Sequence, residues 1–169
     1  NFVVCPIKSL MYDKNDNLIK TLVTNVSFIT SDLESDERRD IERNFEQGRY
    51  LFVWISPEKF QIPSFREKIS AIVANFSIAY AVLDEVHCLS EWGHDFRTSY
   101  LSLGRNAIEH CKTKNKETIP IFGLTATASF DVLSDVEREL SGNGLTNIDT
   151  DAIVRFENTN RTELQYQII

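Results

Sequence analysis

Ile78-Ala79-Tyr80-Ala81-Val82-Leu83-Asp84-Glu85-Val86-His87 is the stretch on which the fold turns. Six apolar residues follow one another without alternation and then stop on two carboxylates. A strand that is apolar at every position is buried on both faces, as in a parallel sheet with helices packed on either side. In such sheets ligands bind outside the carboxyl ends of the strands, so Asp84 and Glu85 stand at the expected ligand edge.

The flanking sequence repeats that alternation of strand and helix. From Ser64, the apolar residues Phe65, Ile69, Ile72, Val73 and Phe76 fall at i, i+4, i+7, i+8 and i+11, the stripe of a helix packed on one side. Phe2–Cys5, Val26–Ile29, Tyr50–Ile55 and Ile119–Leu124 are expected strands. Helices are expected from Pro6-Ile7 to about Asn17, after Ser31 to Gln47, from Thr98 to Lys112, and around Val132, Leu133, Val136 and Leu140. Ser31 and Glu34 have capping-box spacing, Asp32 or Ser35 is an alternative cap, and Gly48 stops that helix. Asp151–Phe156 and Leu164–Ile169 are further strand candidates. The pattern predicts an α/β fold, with a doubly wound, mostly parallel sheet flanked by helices.

The chain has 169 residues, 42% hydrophobic and 25% charged, ordinary for one globular domain with a sizeable core. No apolar run approaches the roughly 20 residues of a spanning helix, so no membrane partner is expected. Cys5, Cys88 and Cys111 are scattered, odd in number and without a Cys-x-x-Cys pair. They fit a reducing cytoplasm better than a disulfide framework or a zinc site. The net charge of −7 argues against a domain that grips phosphates through bulk charge. Asn1 is not an initiator Met and Phe2-Val3-Val4-Cys5 reads as a strand already under way, so a piece of a longer protein is expected.

Asp84 and Glu85 suit a metal–phosphate site, because Mg²⁺ keeps several waters and takes one or two carboxylates plus substrate phosphates. In that reading Asp84 orients the hydrated Mg²⁺, Glu85 polarises the attacking water, and His87 senses the terminal phosphate. The bland alternative is the start of a solvated loop. Three neighbouring segments weigh against it. Leu89-Ser90-Glu91-Trp92-Gly93-His94-Asp95-Phe96-Arg97 carries aromatic faces that stack on single-stranded bases, with Arg97 and His94 beside them. Otherwise Trp92 and Phe96 are core residues. Gly123-Leu124-Thr125-Ala126-Thr127-Ala128 ends the next strand, where Thr125 and Thr127 can bridge the carboxylates to a moving neighbour, or Thr127 or Ser129 can simply cap a helix. Lys8 and Ser9 open a helix whose backbone N–H groups form a phosphate grip.

Together these segments resemble the RecQ family of superfamily 2 DNA helicases. The run from Asp84 to Arg97 is similar to that family's fused metal motif and aromatic-rich loop. Val4-Cys5-Pro6-Ile7-Lys8-Ser9-Leu10-Met11 resembles its motif Ia, Ile55-Ser56-Pro57-Glu58-Lys59 its Pro-Glu-Arg segment, and Leu124-Thr125-Ala126-Thr127-Ala128 its motif III. The resemblance implies a RecA-like motor domain that uses ATP and Mg²⁺ and moves 3′-to-5′ along single-stranded DNA, acting on duplex junctions. It implies residues 1–157 as the first motor domain without its phosphate-loop part, and residues 158–169 as a linker or first strand toward a second motor domain. Departures are Val86 for Ala, Glu91 for Gln, Thr98-Ser99 for Pro-Glu, Lys8 for an apolar residue and Lys59 for Arg. No Gly-x-x-x-x-Gly-Lys-[Ser/Thr] occurs in the sequence. The phosphate loop is therefore expected before Asn1, and the chain alone is expected to be inactive. The competing expectation is a non-catalytic DNA-binding or scaffold module, with an RNA-directed relative as a third. A cytoplasmic location, on the nucleoid in a bacterium, follows from the same resemblance.

Overall fold

The computed structural model describes residues 1–76, 78–90, 98–100, 102–126, 129–142, 144–148 and 150–154. Within them lies one five-stranded, all-parallel sheet in the order β2-β3-β1-β4-β5. The strands are β1 (Phe2–Val4), β2 (Val26–Ile29), β3 (Phe52–Ile55), β4 (Ala81–Asp84) and β5 (Ile121–Leu124). The helices are α1 (Lys8–Lys20), α2 (Ser35–Glu46), α3 (Pro57–Phe60), α4 (Pro63–Asn75), α5 (Leu103–His110) and α6 (Phe130–Leu140). No helix among the described residues is long and apolar enough to cross a membrane.

Strand alternation sorts the core into two layers. Phe2, Val4, Val53, Ile55, Ile29, Ala81 and Leu83 point to one face, where Phe45, Phe65, Ile69, Leu103, Ala107 and Val136 from the helices close over them. Cys5, Trp54 and Val26 point to the other, beneath Met11 of α1. Asp84 follows Val82 in the same alternation, so it belongs to the face that α1 covers. The parallel register brings Val4, Ile55, Leu83 and Ile29 level, and pairs Asp84 with Leu124. All five carboxyl ends therefore share one edge, as expected for ligand binding.

Several boundaries differ from the sequence reading. The strand expected over Ile78–Leu83 begins only at Ala81 and takes in Asp84. Its first residues meet no neighbour strand, because β1 and β5 pair with β4 from Ala81 onward, and Tyr80 is 45% exposed. The helix expected from Thr98 to Lys112 is a 3₁₀ turn at Thr98–Tyr100 and then α5, with Ser102 left-handed at φ 63° between them. Ser31 and Asp32 do not cap α2, which starts at Ser35 with no side-chain cap; both are bound to Lys8 instead. Phe76 closes the α4 stripe but is exposed, and its ring rests on Gly48. Gly48 at φ +67° is the αL residue that ends α2, and a Cβ there would come within 2.7 Å of that ring. Thr150–Ala152 is a 3₁₀ turn rather than part of a strand. The rest of that candidate from Arg155, and Leu164–Ile169, lie outside the described residues. Cys5, Cys88 and Cys111 form no disulfide with one another, and burial raises the thiols of Cys5 and Cys111 to about 11 and about 12.

Candidate active site

Asp84 closes β4 and is 7% exposed. Its backbone carbonyl accepts a hydrogen bond from the buried Tyr100 hydroxyl at 3.0 Å, and its Oδ2 is ion-paired with the Lys14 ammonium of α1. The next residue breaks the strand. Glu85 sits in the left-handed region at φ 52°, ψ 47°, which costs a non-glycine residue about 1–2 kcal/mol. The kink starts a 3₁₀ turn over Val86–Leu89, closed by Cys88 N–H donating to Glu85 O and Ser90 N–H donating to His87 O.

That turn folds the side chains of Glu85 and His87 together. Glu85 Oε2 lies 3.2 Å from His87 Nδ1, and the same nitrogen lies 2.9 Å from Thr125 Oγ1, just past β5. With its proton on Nδ1 the ring donates toward the carboxylate or Thr125. With the proton on Nε2, Nδ1 accepts from the Thr125 hydroxyl. Either way, one imidazole links the end of β4 to the end of β5. The far end of the segment is tied to α6, where Ser90 Oγ donates to Asp135 Oδ2 at 2.8 Å.

The structure brings Glu85, His87 and Thr125 together through their side chains, while Asp84 adjoins them at the end of β4 with its carboxylate on Lys14. Lys8 and Ser9 open α1 at the same sheet edge, but Lys8 is already engaged, 3.0 Å from Asp32 Oδ1 and 2.9 Å from Ser31 Oγ. The Tyr12 hydroxyl and the Lys8 ammonium, both on the Asp32 carboxylate, hold that carboxyl far below the usual carboxylate range. Lys59 of the Pro57-Glu58-Lys59 turn faces inward, 2.6 Å from Glu42 and over the Phe65 ring. Trp92, His94, Phe96, Arg97 and Thr127 lie outside the described residues. Sequence reasoning missed Lys14 and Tyr100, because no local spacing relates them to Asp84.

Asp84 offers one carboxylate, and among the described residues no three His, Cys, Asp or Glu side chains gather to hold a metal. A lone carboxylate at the carboxyl edge of a parallel sheet fits Mg²⁺, which keeps most of its waters, better than it fits zinc. The ammonium of Lys14 against Oδ2 also marks a position that already accommodates a cation.

Comparison with known proteins gives a consistent set of matches. Residues 1–136 match the DEAD/DEAH box helicase family. ATP-dependent DNA helicase Q5 of Mus musculus is 36% identical over 79% of this chain and 13% of its own length. Probable ATP-dependent DNA helicase RecS of Bacillus subtilis (strain 168) is 36% identical over 79% of this chain and 25% of its own. The Pyrococcus furiosus Hef helicase domain shares the fold at a TM-score of 0.51 and 16% identity, covering 83% of this chain and 27% of that one. The chain spans 13% and 25% of the lengths of the two sequence relatives.

Proposed function

The chain belongs to the DEAD/DEAH box helicase family, and on that premise we propose that it is the catalytic-carboxylate part of an ATP-dependent DNA helicase of RecQ type. The observation that carries the reading is the contact of Glu85 and Thr125 through His87 Nδ1, at 3.2 and 2.9 Å. It joins a candidate hydrolytic carboxylate to the hydroxyl of the segment resembling motif III.

The roles follow from position. Asp84, fixed by β4 and Tyr100, orients hydrated Mg²⁺. Bound Mg²⁺ supplies charge neutralisation on the phosphate oxygens of ATP. Glu85, turned out of the strand by its left-handed backbone, holds and polarises the attacking water. His87 reports the state of that water and carboxylate to Thr125, and Thr127 continues the coupling. Trp92, Phe96 and Arg97, with His94, contact single-stranded DNA, and Lys8 and Ser9 hold its phosphates once Lys8 leaves Asp32. The direction of movement in this reading is 3′-to-5′, toward duplex junctions. Residues 1–157 act as the first motor domain and 158–169 lead toward a second. The 169-residue chain alone turns over no ATP, since it contains no Gly-Lys phosphate loop.

The decisive experiment is Glu85→Gln in the full-length protein. The variant is expected to bind nucleotide normally and to lose DNA-stimulated hydrolysis by at least about a hundredfold. Hydrolysis near wild type would sink the assignment. A wild-type full-length protein that binds DNA without hydrolysing ATP would favour a non-catalytic module. Trp92→Ala is expected to keep basal hydrolysis and lose its stimulation by DNA.

A further inference from the structure

The carboxylate of Asp84 already has a cation on it. Lys14, 70 residues away in sequence, reaches from α1 and places its ammonium on Oδ2. The two partners have unequal freedom. The Asp84 side chain is 10% exposed at the end of a paired strand, whereas that of Lys14 is 43% exposed on a flexible four-carbon stem. An ammonium and a hydrated divalent cation cannot share one carboxylate oxygen at contact distance, because like charges so close repel strongly. The two therefore compete for Asp84, and Lys14 is the partner free to give way, because Asp84 is fixed at the end of a paired strand. Its departure does not strand Asp84, since the incoming cation takes the place of the ammonium as counter-charge, and Lys14 itself is half-exposed and regains water.

We infer that Lys14 is a resident counter-charge for the Mg²⁺-orienting carboxylate, seated on Asp84 in the nucleotide-free protein and displaced when the metal arrives. The inference rests on the reading of Asp84 as the metal-orienting residue. Lys14 keeps Asp84 from standing as a buried, unpaired charge, and it weakens the hold of Asp84 on free Mg²⁺. Metal that arrives with nucleotide phosphates brings additional ligands and can still compete. Displacement also removes a tether between β4 and α1, the helix whose first turn carries Lys8 and Ser9. Lys14 is thus a positioning residue. It makes no contact with reacting atoms.

The test uses Mn²⁺ as a paramagnetic stand-in for Mg²⁺, titrated into the 169-residue chain without nucleotide. The readout is NMR broadening of backbone amides around residues 84–86. Lys14→Met is expected to lower the Mn²⁺ concentration for half-broadening about three- to fivefold, the fold-change that losing a partly exposed ion pair allows. Lys14→Arg keeps the charge and is expected to stay near wild type. Asp84→Asn is expected to abolish the broadening whether or not Lys14 is present. An unchanged midpoint in Lys14→Met, with Asp84→Asn still abolishing the effect, overturns the counter-charge and leaves the metal reading standing. Equal tightening by Lys14→Arg and Lys14→Met also overturns it, because charge would then not be the cause. Broadening that survives Asp84→Asn, or is absent from every protein, overturns the reading of Asp84 and this inference with it.

Discussion

One face of the sheet is built in two unlike halves. Beneath β2, β3 and β1 it is covered by α1, and Val26, Trp54, Cys5 and Met11 are buried there. Beneath β4 and β5 the same face presents Val82, Phe122 and Leu124, paired in register by the ladder, with Phe122 49% and Leu124 50% exposed. Tyr80 packs edge-on against Phe122 at 5.2 Å and is itself exposed. Asp84 lies on the seam, with Lys14 from the covered half on one side and the open half on the other. The covered half is dry enough for burial to raise the Cys5 thiol to about 11, with the Asp84 charge adding to the effect. A carboxylate at such a seam is held firmly by one half and left accessible by the other.

Substitutions at covered positions of the molecule and in the open half should therefore differ in cost. The largest effect is expected on the covered opposite face of β4. Leu83→Ala empties a fully buried site and should lower unfolding free energy by about 2–5 kcal/mol in denaturant titration. A loss below 1 kcal/mol would mean that β4 is not the packed centre of the sheet. Tyr100→Phe should cost about 1–3 kcal/mol, because it leaves the buried Asp84 carbonyl without its hydroxyl donor. An effect near zero would remove Tyr100 from the support of the site.

The next effect is pH-dependent and belongs to the ion network on the well-covered side. Burial acts to raise the Glu42 carboxyl, but hydrogen bonds from Lys59 and Lys68 outweigh it and leave it lowered. A carboxyl lower in the folded than in the unfolded protein contributes stability above its unfolded value of about 4.5, and that contribution is lost as pH falls through the lower folded value. Glu42→Gln should cost about 1 kcal/mol at pH 7 and progressively less as pH falls below about 4.5, measured as the difference in denaturation midpoint. A deficit that persists undiminished in acid would show that packing, not charge, is what Gln disturbs. The smallest effect belongs to the open half. Leu124→Ser should change stability by no more than about 0.5 kcal/mol. A cost above 2 kcal/mol would show that something covers this face in solution, and the contrast between the halves would fall.

Ile78–Leu83 and Ile119–Leu124 look alike in sequence, six mostly apolar residues each, and both are strands at their carboxyl ends. Their sequences do not tell that one is flanked by β1 and β5 while the other is the outer strand of the described sheet. Apolar content reports what a strand is suited to touch; which neighbours reach it depends on chain order in the sheet. The α4 stripe at Phe65, Ile69, Ile72 and Val73 was legible because a helix's own period sets which residues share a face. The Ser31–Glu34 capping signal failed because Lys8, from a different element, offered Ser31 and Asp32 charged hydrogen bonds that a helix start could not match.

By itself the sequence determined the alternation of strand and helix, the parallel sheet, and the placing of Asp84, Glu85, His87 and Thr125 at one edge. Those features rest on short-range periods and on strands ending where polarity begins. Tertiary structure alone decided that Lys14 sits on Asp84, that Tyr100 secures its carbonyl, that Lys8 is held by Asp32, and that His87 joins Glu85 to Thr125. These contacts link residues from 14 to 84 and from 87 to 125, across strands whose order no local pattern encodes. The carboxylates could be located by where a strand stops. Their charge partners could be found only where the folded chain brings distant side chains within a few ångströms.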